Sequence, residues 1–207
     1  AIYSIPGDPR WNPVADVNDD YRISSIDLGW IIKYAGYEEQ DIAVTNVSVS
    51  KTLVCQVHGK VRINVTVENN GTIPHTIILS IRFNSSTVYI PSFSLNAGKS
   101  TTITFTWNAT GFAKGNYNIS AYAEPVIGEI DTEDNTKYFD GIVTVTIPGD
   151  VNGDFMCEGK DNGLVSKAYD TRPGDLKWNP NADINDDDKV EGKDVGIIAK
   201  YYDTRDP

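Results

Sequence analysis

The chain has 207 residues, 40% of them hydrophobic, and a formal net charge of −11. This is enough apolar material for one to three domains with a real core. The acidity argues against nucleic acid and against anionic lipid as partners, and no apolar run approaches the ~18 residues that a membrane-spanning helix needs. The two cysteines, Cys55 and Cys157, belong to no CxxC pair, which argues against zinc.

The first element is a loop followed by a helical pattern. Asp16-Val17-Asn18-Asp19-Asp20 runs on to Asp27. Asp, Asn and Asp fall at loop positions one, three and five, with a carboxylate at position twelve. That spacing wraps oxygens around one hard cation, with a backbone carbonyl from position seven, here Arg22, and a further oxygen from position nine, here Ser24. Leu28, Ile31 and Ile32 then share one helix face. We place this unit at residues 1–36.

Residues 37–147 read differently. Ile63, Val65 and Val67 alternate with Arg62, Asn64 and Thr66. Similar runs follow at Ile77 to Phe83, Ile103 to Trp107 and Tyr117 to Ala123, flanked by Ile42 to Val49 and Ile142 to Ile147. Turn signals such as Asn69-Asn70-Gly71 and Asn96-Ala97-Gly98 separate them. Six or seven short strands at this spacing predict a two-sheet antiparallel sandwich. The acidic run Glu129, Asp131, Glu133, Asp134 reads as a solvated turn closing a hairpin, with a fourth cation site as the alternative.

Residues 148–207 carry the loop pattern twice more. One copy has Asp150, Asn152, Asp154, Met156 (through its carbonyl), Glu158 and Asp161. The other has Asp183, Asn185, Asp187, Lys189 (through its carbonyl), Glu191 and Asp194. Leu164, Val165 and Ala168 predict a short helix after the first, and Val195, Ile198 and Ala199 one after the second. Such short helices cannot bury an apolar face alone, and two in succession can pair. Residues 6–34 align with 173–201, with 16 of 29 positions identical. Three loops of this kind imply three calcium ions, whose six positive charges would bring −11 to −5. Calcium as a structural staple is the expected role, because the helices are too short to fold without it. Position six, where glycine normally makes the sharp turn, holds Tyr21, Phe155 and Asp188.

Six Asn-x-Ser/Thr sequons start at Asn46, Asn64, Asn70, Asn84, Asn108 and Asn118. Their density favours an exported glycoprotein. In an oxidising compartment Cys55 and Cys157 could be bridged; the alternative is two small buried hydrophobes. Starting at Ala without an initiator Met, the chain reads as processed or as a piece of a longer one. Trp11 and Trp178 occupy equivalent places in the repeat, suited to packing beneath a loop or to a paired sugar platform. No HExxH or Gly-x-Ser-x-Gly pattern accompanies the two histidines, and no enzymatic activity is expected.

Residues 150–207 resemble a type I dockerin, carried by Asp150, Asn152, Asp154, Asp161, Asp183, Asn185, Asp187 and Asp194. Residues 6–36 resemble a further half-dockerin. The resemblance implies a cohesin-like partner; the positions before position twelve hold Gly159-Lys160 and Gly192-Lys193 rather than a Ser/Thr pair. Residues 41–147 resemble the CARDB domain, a cell-adhesion-related sandwich, through Asp41 to Val49, Val65 to Gly71, Gly115 to Ile119 and Gly128 to Asn135. The fold class is therefore mainly β: an Ig-like sandwich with small EF-hand-like calcium modules at both ends. The function that follows is non-catalytic adhesion or assembly at a cell surface. Neighbouring copies or another surface protein are the expected partners, with Leu28, Ile31 and Ile32 as the contact face. A filament subunit is the sharper form; an accessory tail of a secreted hydrolase and a carbohydrate-binding module are the alternatives.

Overall fold

The computed structural model describes residues 5–6, 15–28, 39–57 and 59–205. They divide into two compact units, Ala1–Glu39 and Gln40–Pro207. In the first, the loop from Asp16 leads into a helical turn over residues 25–28. Ile31, Ile32 and Trp11 lie outside the described residues.

The second unit begins with strands β1 (Ile42–Val49), β2 (Leu53–Cys55), β3 (Lys60–Asn69), β4 (His75–Ile77), β5 (Leu79–Phe83) and β6 (Ser86–Tyr89). It continues with β7 (Phe93–Leu95), β8 (Lys99–Asn108), β9 (Gly115–Tyr117), β10 (Ile119–Ala123), β11 (Thr136–Tyr138) and β12 (Val143–Thr146). One sheet has the order β1-β3-β8. Two more have the orders β11-β10-β5-β6 and β2-β12-β9. β9 runs into β10 across Asn118 alone, so the latter two form one continuous face. The twelve strands exceed the expected six or seven because two long runs are broken, at Asn118 and at Ile78, and because β2, β6, β7 and β11 are further short strands outside those runs.

Alternation decides which residues fill the space between the sheets. Ile63, Val65 and Val67 are fully buried, while Arg62, Asn64 and Thr66 between them are half-exposed. Ile77, Leu79, Ile81 and Phe83 are also fully buried. Phe83 stacks on Trp107 with ring centroids 4.5 Å apart, and Phe112 and Tyr117 meet Trp107 edge-on at 5.1 and 5.4 Å. Each buried aromatic of this size contributes about 3–5 kcal/mol against truncation to alanine.

One pair departs from the antiparallel pattern. The chain leaves the first sheet after Val49 and re-enters the other as β2, which pairs in parallel with β12 through Leu53–Thr144, Val54–Val145 and Cys55–Thr146. A strand that changes sheets meets the last strand running in its own direction. The switching segment, residues 50–52, lies between the two strands and is free to make contacts elsewhere.

After β12 come a ribbon strand β13 (Met156–Cys157), helix α1 (Gly159–Lys167), a 3-10 turn (Pro180–Ala182), helix α2 (Gly192–Tyr201) and strand β14 (Thr204–Arg205). Val165, Ala168, Ala182, Ile184, Val190 and Ile198 close a second apolar cluster, with Trp178 and Cys55 packed against it. The loop–helix pair and the sandwich belong to one compact unit, so the pair is docked on the sandwich.

Candidate metal centres

Each loop closes on itself through a closely similar set of hydrogen bonds. In the first, Asp16 accepts from the backbone N–H of Asp20 (3.1 Å) and Tyr21 (2.8 Å). Asp27 accepts from Val17 (3.1 Å) and Ser24 (2.7 Å). In the second, Asp150 accepts from Gly153 (2.6 Å) and Phe155 (2.9 Å), and Asp161 from Val151 (2.8 Å) and Glu158 (2.9 Å). In the third, Asp183 accepts from Asp187 (3.1 Å) and Asp188 (2.9 Å), and Asp194 from Ile184 and Glu191 (both 2.8 Å). Positions one and twelve are thus held in place by backbone donors.

The turns follow from backbone conformation. Positions four and six of all three loops are left-handed: Asp19 and Tyr21 at φ 59° and 61°, Gly153 and Phe155 at 83° and 60°, Asp186 and Asp188 at 63° and 61°. Tyr21, Phe155 and Asp188 therefore adopt the conformation glycine usually supplies, at a cost of order 1–2 kcal/mol each.

Asp16, Asp20 and Asp27 each place a carboxylate oxygen within 4.8 Å of the others. Only in the first loop do the carboxylate oxygens meet this closely among the described residues; those of the second and third loops stand further apart. The carboxylates at positions one and twelve are buried in every loop: Asp16, Asp27, Asp150, Asp161, Asp183 and Asp194. Burying two carboxylates side by side is unfavourable unless a cation compensates. The all-oxygen donor set, completed by Asn18, Asn152 and Asn185, fits a hard divalent ion. Burial pushes Asp183 above the usual carboxylate range, opposed by the ammonium of Lys51. Backbone donation from Ser24 holds Asp27 below that range.

Position nine of the two C-terminal loops also caps a helix. Glu158 and Glu191 cap α1 and α2, each accepting from the N–H three residues on, while Asp161 and Asp194 accept in return. Lys160 spans Glu158 (2.8 Å) and Asp154 (3.5 Å). Lys193 spans Glu191 and Asp187, both at 2.9 Å. The first loop has Ile26 at the equivalent place.

Position eight is half-buried in the first loop, at Ile23, and buried in the two C-terminal loops, where Cys157 and Val190 are both fully covered. They do not pair with one another. Val190 bridges Thr171, which follows α1, and Cys157 pairs with Thr204, which follows α2. Each half's tail thus clasps the other half's loop, and Asp170 and Asp203 make the turns at φ 61° and 62°. The repeated Asp170-Thr171-Arg172 and Asp203-Thr204-Arg205 was the sequence signal for this clasp.

Both cysteines are free thiols. Cys55 Sγ donates to the Val57 carbonyl at 3.0 Å, and Cys157 Sγ faces the Ile198 carbonyl at 3.7 Å. Burial first, then the nearby Asp161 and Asp150, pushes the Cys157 thiol up to about 11, so it behaves as a small hydrophobe.

Asn46, Asn70, Asn84, Asn108 and Asn118 are exposed, and Asn64 is half-buried on β3, accepting from Thr104 at 2.8 Å. The Asn84 amide donates to the Asn116 carbonyl and accepts from the Asn118 N–H. Leu28 is 56% exposed. In the acidic run, Glu129 accepts from the N–H groups of Ile42 and Val126, and Asp131 from that of Glu133; both serve the turn.

The CARDB family model matches residues 39–139, the span of the sandwich from its first strand to β11. This segment is a CARDB domain. The CARDB domain of a Pyrococcus furiosus protein, solved in complex with di-metal ions, is 23% identical over 54% of this chain and 97% of that one, with a TM-score of 0.44. A domain of a protein assigned to the cell surface of Methanosarcina acetivorans is 19% identical over 52% of this chain and 92% of that one, with a TM-score of 0.37. No curated protein matches the chain. CARDB is a non-catalytic domain found in cell-surface proteins. Among the described residues no helix is long and apolar enough to cross a membrane.

Proposed function

We propose that the chain is a non-catalytic, extracellular, calcium-binding glycoprotein that serves adhesion or assembly at a prokaryotic cell surface. Its CARDB sandwich is flanked by dockerin-like loops that calcium staples into shape. The observation that carries this reading is the repeated burial of carboxylates at positions one and twelve of all three loops, which a hard cation compensates. Three ions, one per loop, are the expected load. The five exposed sequon asparagines support glycosylation.

The sharper form is a subunit of a calcium-dependent filament. Among the described residues the N-terminal unit shows one loop–helix, whereas the two C-terminal ones clasp each other. Leu28 leaves an apolar side chain in water. A neighbouring copy or another surface protein covering that face makes a head-to-tail contact, and such contacts build open fibres when rotation does not close them.

Light scattering and negative-stain microscopy of the chain test this, in ~2 mM calcium, within the range of extracellular modules, and again in excess chelator. Long assemblies present only with calcium are expected. A compact monomer in both conditions removes the filament and leaves calcium with folding alone.

A further inference from the structure

The third loop differs from the other two in what surrounds it. Its non-ligand positions four and six are both acidic, Asp186 and Asp188. Their left-handed backbones turn these side chains out of the ligand ring and towards the sandwich. There each meets a cation. Lys51 lies in the segment where the chain switches sheets and is 5% exposed. Its ammonium pairs with Asp186 at 3.2 Å and donates to the Asp183 carbonyl at 2.8 Å. Arg62, on β3, forks onto both carboxylate oxygens of Asp188, one of them at 3.1 Å. The switching segment adds two more bonds, from the N–H groups of Thr52 (3.2 Å) and Leu53 (3.1 Å) to Asn181 Oδ1.

These contacts converge on the backbone that shapes the ligand ring. Asp183 is the position-one ligand, and its carboxylate accepts from Asp187 and Asp188. Lys51 fixes the carbonyl of Asp183, and Arg62 fixes the side chain of Asp188. Without a cation, the carboxylates of Asp183, Asp187 and Asp194 repel one another and favour an opened loop. Opening would pull Asp186 away from a buried ammonium, and leaving a buried charge unpaired is strongly unfavourable. The third loop therefore cannot lose its shape while the helix pair stays docked.

We propose that Lys51 and Arg62 are positioning residues for the third loop, forming with Asp186 and Asp188 a charge latch. The latch makes cation binding by residues 183–194 and docking of the helix pair on the CARDB sandwich a single coupled equilibrium. This rests on the calcium reading above. Of the consecutive acids Asp186, Asp187 and Asp188, only Asp187 is a ligand; its neighbours are structural counterions. Linkage makes the effect reciprocal: docking tightens the third site by the factor by which the ion tightens docking. Calcium thus sets the stiffness of the joint between the adhesive sandwich and the helix pair.

The test uses the full chain and the double variant Arg62→Gln/Asp188→Asn, which removes the outer pair at constant net charge. Calcium is titrated by calorimetry, with the third site identified as the one lost in Asp187→Asn. Hydrogen exchange of residues 51–55 is followed with and without calcium. The expected result is a third site weakened about fivefold, as a half-exposed pair allows, with the other two unchanged. Exchange at 51–55 is expected to speed up on chelation in the native chain. Lys51→Gln/Asp186→Asn, checked for folding by circular dichroism, is expected to weaken the same site further. An unchanged third site in Arg62→Gln/Asp188→Asn overturns the latch while leaving calcium binding intact, as does exchange at 51–55 that ignores calcium. Absence of any binding heat from the native chain overturns the calcium reading itself.

Discussion

Cys157 pairs with Thr204 in a two-residue antiparallel ribbon, so the loop of the first C-terminal half is clasped by the tail of the second. The Asp203 N–H donates to the Cys157 carbonyl at 2.8 Å. Deleting residues 203–207 removes this bond and uncovers the loop. A loss of about 1–2 kcal/mol is expected, from one to two hydrogen bonds, together with weaker calcium binding at 150–161. Asp203→Gly, which suits the left-handed φ of 62°, is expected to be neutral or stabilising. Chemical denaturation of both variants checks the pair of outcomes.

On the calcium reading, Lys160 and Lys193 would compete with the cation. Each holds a carboxylate from position five and one from position nine, and Lys193 in turn keeps Asp187 below the usual carboxylate range. Replacing either lysine by Met is expected to raise calcium affinity at its own loop by about three- to tenfold at low salt. The gain shrinks at high ionic strength because the lysines are solvent-exposed. Titration at two salt concentrations decides this; affinities that ignore the substitution would sink it.

The loop geometry was legible because each loop is one continuous run of residues. Asp16 to Asp27 can be read without any knowledge of the rest of the chain, and the alternation around Ile63, Val65 and Val67 marks the sandwich in the same local way. The latch was not legible. Lys51 and Asp186 are far apart in sequence, and nothing near either residue announces the other. The parallel pairing of β2 with β12 was hidden for the same reason: it depends on the chain changing sheets at residues 50–52, which leaves the alternation intact.

Calcium should raise the melting temperature of the chain. An ion at one hundred times its dissociation constant adds about 2.7 kcal/mol per site. Asp161→Asn and Asp194→Asn each remove a position-twelve ligand that also caps a helix. Each is expected to cut the calcium-dependent shift in scanning calorimetry. A melting curve identical in calcium and in chelator would count against all three sites.

Gly149 has φ 86°, and a Cβ there would sit 2.4 Å from Cys157 Sγ. Gly149→Ala therefore combines backbone strain with overpacking, and a loss of roughly 2 kcal/mol or more is expected. Adding Cys157→Ala should recover part of it, because the steric component vanishes while the strain remains. Denaturant midpoints of the single and double variants measure the split; equal losses would show that the thiol is not the obstacle.

Asp134 carries a pH dependence of its own. Burial, and then the neighbouring Asp41, Asp131 and Glu129, hold its carboxyl above the ordinary 3.8. One oxygen of Asp134 and one of Asp41 are buried without a hydrogen-bond donor. A carboxyl with a raised folded-state pKa binds its proton more tightly folded than unfolded. Its contribution to stability is therefore fully present below 3.8 and is lost as pH rises through the raised value. At neutral pH the ionised group opposes folding. Asp134→Asn, which mimics the protonated form, is thus expected to stabilise the sandwich at pH 7, with the gain shrinking towards zero below 3.8. Denaturation of both proteins across that range is the measurement. A gain that persists undiminished in acid would mean that the substitution acts through packing rather than charge.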